Sequence, residues 1–147
     1  MRIVIDTNIA FSAILNTNSL IARIILQPKS KLHFYSTDLL LLEIGEHKEK
    51  LKKISGFPDT ELDRTITLIT SRIRFINANL IPSQILIDTQ NFIMDIDIDD
   101  TDFVALTNHI HGKLWSGDKA LQNGLYQKGW AKFVTTSDLL RILNKRK

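Results

Sequence analysis

Short apolar segments rich in β-branched residues alternate with segments of helical periodicity along this chain. The strand-like segments are RIVID (2–6), KLHFY (31–35), RFI (74–76), KLWSG (113–117) and AKFVT (131–135). Helices are predicted at 19–27, 36–55, 58–73, 83–94, 101–111, 119–129 and 137–147. Strands that alternate with helices form a parallel sheet covered on both faces, so we expect an α/β fold. No repeat or Pro/Gly-rich linker divides the 147 residues, which predicts a single domain over 1–147.

The composition excludes several classes of protein. The absence of cysteine rules out disulfides and thiolate metal sites and agrees with a cytoplasmic location. No apolar run approaches the ~20 residues of a membrane span, and the first residues lack the apolar core of a signal peptide. The net charge is +3, and several basic residues lie together in the segment 47–53. A basic chain with one acidic cluster is typical of a polyanion-binding protein, but solvated helix faces give the same pattern.

Two aspartates follow predicted strands. Asp6 ends the first strand in VIDTN, and Asp118 follows a later strand in LWSGDKAL. Open α/β sheets bind ligands beyond the carboxyl ends of their strands. Each aspartate could instead cap the helix that follows it. If the two strands are neighbours, the two carboxylates converge on one site.

The segment 95–103, DIDIDDTDF, places five aspartates within eight positions. Like charges at this spacing repel one another, and the cost rises as water is excluded. If Asp99 caps a helix beginning near Thr101, then Asp100, Thr101 and Asp102 occupy its first turn, where negative residues are favoured. Capping accounts for only part of this charge. The rest requires either a solvated loop or a bound cation.

The kind of cation follows from the ligand types. The D-x-D-x-D pattern at 95–99 is not a calcium loop, because Asp100 and Leu106 stand where that loop needs glycine and glutamate. We expect at least one aspartate of the segment to point toward Asp6 and Asp118. Ligands that offer only oxygen suit Mg²⁺ or Mn²⁺, which often bridge carboxylates to phosphate.

Glu43 is the acidic residue within the apolar segment LLLLEIGE. It follows Leu39 and Leu40 at helical spacing, so its direction is ambiguous. It lies either on the surface or on the apolar face, where a buried carboxylate would need a cation as its partner.

Four segments together resemble the PIN-domain nucleases, and most closely the toxin components of toxin–antitoxin systems (VapC-like). They are IVIDTN, LLEI, DIDIDDTDFVAL and LWSGDKAL, in that order, and the resemblance extends from Arg2 to the final helix. It implies a three-layer α/β/α sandwich whose parallel sheet has the order 3-2-1-4-5, so that strands one and four are neighbours. It also implies a metal-dependent ribonuclease, a cognate antitoxin partner and a homodimer.

The resemblance also assigns the site residues. The four family acids correspond to Asp6, Glu43, Asp100 and Asp118, and supporting positions correspond to Asn8, Asp97, Asp99 and Ser116. The acids would hold one or two Mg²⁺ or Mn²⁺ ions, with Glu43 as a ligand or as the base that orients water. Asp97 and Asp99 are also alternatives to Asp100. The family helix usually reads ALA where this chain has ALTNHIH, and we expect His109 and His111 at the surface or in packing rather than as ligands.

The predicted reaction is the hydrolysis of an RNA phosphodiester by metal-activated water. Lys119 and the basic residues Lys50, Lys52 and Lys53 are expected to contact the RNA backbone. A phosphoacceptor signalling module shares an acidic magnesium pocket, but it needs adjacent acids after the first strand, where this chain has only Asp6. A catalytically inert copy that binds RNA or protein is a further alternative. Without a P-loop or G-x-G-x-x-G motif, nucleotide-cofactor binding is not expected.

Overall fold

The computed structural model describes residues 1–28 and 31–145. Its strands are β1 (Arg2–Ile5), β2 (His33–Thr37), β3 (Ile73–Ile76), β4 (Lys113–Trp115) and β5 (Phe133–Val134). They form one parallel sheet in the order β3-β2-β1-β4-β5. This arrangement confirms the predicted fold class and strand order.

Helices cover both faces of the sheet. Within the described residues they are α1 (Thr7–Leu15), α2 (Leu20–Leu26), α3 (Asp38–Glu46), α4 (Lys48–Ser55), α5 (Asp59–Thr70), α6 (Ser83–Ile93), α7 (Thr101–Ile110), α8 (Lys119–Gln127) and α9 (Thr136–Asn144). Helix α7 packs on β1, β2, β4 and α6, whereas α1 packs on α2, α3, α4 and α5. Right-handed crossovers place these two groups on opposite faces, which gives three layers. The last two residues of the predicted helix 137–147 lie outside the described residues.

The core extends to the carboxyl ends of the central strands. Ile3, Val4 and Ile5 of β1 are completely buried, as expected for a strand covered on both faces. Trp115 at the end of β4 is also completely buried, and its indole N–H donates to Thr136 Oγ1 at 3.0 Å. The polar residues that follow these two strands therefore start from well-packed positions.

The prediction of one helix over 36–55 is wrong in two respects. Ser36 and Thr37 belong to β2, where they pair with β3 and Ser36 Oγ donates to the Ile5 carbonyl at 2.8 Å. The helix is also divided at His47, which ends α3 and begins α4. The backbone breaks there although neither proline nor glycine occupies the position, so tertiary packing rather than local propensity sets the break.

The helix cap considered at Asp99 is not formed. Asp99 does not cap α7, and Asp100 precedes that helix without a side-chain capping bond. Asp97 instead accepts the Asp99 N–H at 3.0 Å and opens a short 3₁₀ turn, Ile98–Asp100, before α7.

None of the helices in the described parts of the chain is by itself long and apolar enough to cross a membrane. Helices α1 and α2 reach that length only when they are taken together, and the chain bends by 100° between them.

Candidate active site

Asp6 and Asp118 lie at the same edge of the sheet, because β1 and β4 are paired neighbours. Each carboxylate also caps a helix. Asp6 Oδ1 accepts the Ile9 N–H at 3.0 Å, and Asp118 Oδ1 accepts the Leu121 N–H at 3.0 Å. A carboxylate has a second oxygen, so the capping role is compatible with a role in binding.

Acidic side chains converge on a cavity of about 290 Å³ at this edge. Its lining consists of Asp6, Thr7, Asn8, Phe11, Glu43, His47, Lys50, Asp97, Asp99, Asp100, Phe103 and Asp118. The structure thus brings together the four acids that the resemblance assigns, both alternative aspartates and the supporting Asn8. His109 and His111 are not part of this lining.

Three carboxylates approach one another most closely. Asp97, Asp100 and Asp118 each offer an oxygen, and these oxygens lie within 4.8 Å of one another. This spacing is compatible with shared coordination of a small divalent cation. Asp6 lines the same cavity but lies outside this closest group. The sequence left Asp97 as a supporting residue or as an alternative to Asp100, and the 3₁₀ turn brings the two side chains together.

The crowding alters the acidity of Asp100. Burial raises the pKa of its carboxyl to about 7, with further contributions from Asp97, Asp6 and Asp118. Negative charge at this position is therefore costly in the absence of a cation. A divalent ion reverses that balance, because it favours the ionised form of each carboxyl that it contacts.

Ser116 hydrogen-bonds to both of the aspartates that follow the strands, Asp6 and Asp118. It is buried, its Oγ accepts the Asp118 N–H at 3.1 Å, and it also hydrogen-bonds with the Asp6 carboxylate. Asp6 is only 5% exposed, and this burial raises its pKa against the lowering effect of the Ser116 and Ile9 bonds. The nearby charges of Asp118 and Glu43 raise the pKa further. Ser116 therefore holds the Asp6 carboxylate and the backbone of Asp118.

The sequence left open whether Glu43 points to the surface or to the apolar side of its helix, and the structure shows the second. It is half-buried and faces the cavity. His47 follows one helical turn later and Lys50 one turn after that, and both line the same cavity. Sequence reasoning missed His47, although its i+4 spacing from Glu43 was a usable signal. Thr7, Phe11 and Phe103 were also missed, since nothing in their local sequence marks them as polar-site residues.

The Thr7 hydroxyl oxygen is buried at the cavity and has no hydrogen-bond partner among the residues that the structure covers. Buried polar atoms usually have a partner, so this hydroxyl is an unsatisfied oxygen beside the carboxylates.

The lysines predicted to contact RNA occupy different surroundings. Lys50 lines the acidic cavity, whereas Lys52 forms an ion pair with Asp59 at 2.9 Å. Lys53 lies with Lys50 and Lys52 on a second groove, on α4. Lys119 is exposed at the start of α8 and is not part of the cavity lining. Only Lys50 is thus brought to the acids themselves.

The sequence matches the family model of the PIN domain over residues 4–138. Among solved structures, the chain is similar to VapBC2 from Rickettsia felis bound to a DNA fragment from the promoter, with a TM-score of 0.67. The two sequences are 13% identical, and the similarity covers 92% of this chain and 97% of that one. At this identity the similarity concerns the fold. No curated protein sequence matches the chain.

Proposed function

The chain belongs to the PIN-domain family, and from this we propose that it is a metal-dependent endoribonuclease that serves as the toxin of a toxin–antitoxin pair. Membership of the family directly supports nuclease activity, whereas the RNA substrate, the metal and the role as a toxin are the further parts of the proposal. The observation that carries the proposal is the convergence of Asp6, Glu43, Asp100 and Asp118 on one cavity at the carboxyl edge of the sheet.

The residues present fit one or two Mg²⁺ or Mn²⁺ ions. The carboxylates offer only oxygen ligands, those of Asp97, Asp100 and Asp118 are within reach of one ion, and the buried Thr7 hydroxyl has no hydrogen-bond partner in the described part of the chain. Asp6, Asp100 and Asp118 would hold the metal. When bound, a divalent ion supplies Lewis acidity toward the scissile phosphate and the attacking water.

The chain's own residues contribute orientation and charge. The bonds from Ile9 and Leu121 fix the strand-end carboxylates, so these need little rearrangement before the reaction. Glu43 would act as a further ligand or as the base that orients water. Lys50, which lines the cavity, would contact an RNA phosphate beside the acids, and Lys52, Lys53 and Lys119 would extend the basic surface around it.

The partners follow from the same comparison. Similarity to the VapBC2 complex supports a cognate antitoxin for this chain. We include in the proposal a homodimer, a cytoplasmic location and a single domain over the whole chain. Family membership gives no support to the phosphoacceptor alternative. An inert copy would be expected to lack one of the four acids, and all four are present.

RNA cleavage by the purified protein tests the proposal. We expect cleavage in millimolar Mn²⁺ or Mg²⁺, none in EDTA, and recovery when metal is added back. Asp118→Asn should reduce the rate by orders of magnitude, because the cation loses a charged ligand while the helix cap is kept. Asp88→Asn is the matched control, since Asp88 is exposed on α6 and outside the cavity. Metal-independent cleavage, or full activity of Asp118→Asn, would contradict the proposal.

A further inference from the structure

Two aromatic rings form part of the wall of the acidic cavity. Phe11 lies on α1 and His47 at the junction of α3 and α4, and both line the cavity. Their ring centroids are 5.9 Å apart and their planes are inclined by 75°, so the rings meet edge to face. In this arrangement the edge of one ring packs against the face of the other, and both residues contribute to the cavity wall.

The position of the rings relative to the charged groups is defined by helical geometry. Phe11 follows Thr7 by one turn of α1, and His47 follows Glu43 by one turn at the end of α3. Lys50 comes one turn after His47, on α4. Acids, aromatic rings and a cation thus line the same cavity.

The acids cannot by themselves retain an RNA chain, because carboxylates repel phosphates. Affinity must come from groups beside them. Lys50 offers charge to a phosphate, and an aromatic ring of the pair offers a flat face. A nucleobase is the part of a nucleotide that such a surface binds, since every base has a π-face and base–aromatic stacking tolerates any sequence.

We propose that Phe11 and His47 form a stacking platform for an unpaired nucleobase beside the phosphate that is cleaved. This inference rests on the proposed ribonuclease function. In an A-form duplex the bases are stacked on each other and paired, so none can lie on the platform. A strand with a free base can place its phosphate at the acids and its base on the rings.

Three RNA substrates of one sequence test the platform once the cleavage position has been mapped with the wild type. The first is single-stranded, the second has an abasic nucleotide beside the cleaved phosphate, and the third is annealed to its complement. We expect kcat/KM for the abasic strand to fall on the order of tenfold, within the range that stacking contributes per base. The duplex should be cut more slowly still.

Phe11→Leu supplies the matching protein change. It should lower kcat/KM for the intact strand on the order of tenfold and leave the abasic strand nearly unaffected, so that the ratio between substrates approaches one. Phe11→Tyr keeps the ring and should keep the ratio. Phe92→Leu is the control, because Phe92 is also half-buried against the core but lies on α6, outside the cavity. Measuring a ratio separates stacking from any general loss of folded protein.

Each result decides between the two proposals. If the wild type cuts intact and abasic strands equally, or Phe11→Leu keeps the wild-type ratio, the platform is refuted and the ribonuclease function stands. If the duplex is cut as fast as the single strand, an unpaired base is not needed and the platform is refuted. If no RNA is cut under any metal condition, both the function and the platform are refuted.

Discussion

Replacing Asp100 by asparagine should make the metal-free protein more stable at neutral pH. The raised pKa of about 7, compared with an ordinary value of 3.8, measures how unfavourable the ionised carboxylate is at this position. The difference amounts to at most about 4 kcal/mol. Because the side chain is only partly buried, solvent screening reduces this to about 2 kcal/mol. Asparagine keeps the shape and can donate to Asp97 without carrying charge.

The effect has a defined dependence on pH. Between about pH 4 and pH 7 the folded wild type binds more protons at Asp100 than the unfolded chain does, so its stability falls as pH rises through this window. The advantage of Asp100→Asn should therefore be close to zero at pH 4 and reach about 2 kcal/mol at pH 8, on the order of 4–8 °C in Tm.

Urea denaturation in EDTA at pH 4.5, 6 and 8 measures this difference, with Asp88→Asn as a control at an exposed site. Added Mn²⁺ should reverse the order at pH 8, since a ligand that binds only the folded state stabilises the variant with the complete site more strongly. A metal-free Asp100→Asn that is less stable than the wild type at pH 8 would refute the reasoning. A pH-independent difference would do so as well.

Further predictions concern binding, assembly and folding. When RNA binding is measured without metal, Lys50→Gln should reduce the slope of log K against log salt concentration by about 0.7. Lys52→Gln should change this slope less, because the charge of Lys52 is paired with Asp59. Equal effects of the two substitutions would contradict this distinction. Sedimentation at micromolar concentration should give a dimer of the 16.8 kDa chain, and a monomer would refute only that claim. His111→Gly should stabilise the protein by about 0.5–1 kcal/mol in denaturation experiments. His111 has a left-handed φ of 55°, which glycine adopts without steric cost. An unchanged or lowered stability would contradict this.

Much of the site was accessible from the sequence because it depends on local rules. An aspartate that follows an apolar strand lies at the ligand-binding edge of a parallel sheet, wherever the neighbouring helices begin and end. This reasoning placed Asp6 and Asp118 correctly at one edge, and the resemblance supplied the neighbouring strands. Capping a helix and lining the site do not exclude each other, since the carboxylates of Asp6 and Asp118 do both.

The remaining features depend on tertiary packing and were not accessible. The break at His47 follows from the packing of α3 and α4 around α1, and without it the sequence reads as one helix. The position of Asp97 depends on a 3₁₀ turn, which has a different periodicity from the α-helix that follows it. The contribution of Phe11 requires the approach of two helices that are distant in sequence.

The central claim is that the acids around Asp6 hold a divalent cation, and anomalous diffraction from crystals soaked in millimolar Mn²⁺ tests it most directly. We expect one or two Mn²⁺ peaks within bonding distance of Asp6, Asp100 or Asp118, and a weaker or absent peak in crystals of Asp100→Asn. Failure to find Mn²⁺ in this cavity, or a peak only at carboxylates elsewhere on the surface, would contradict the claim.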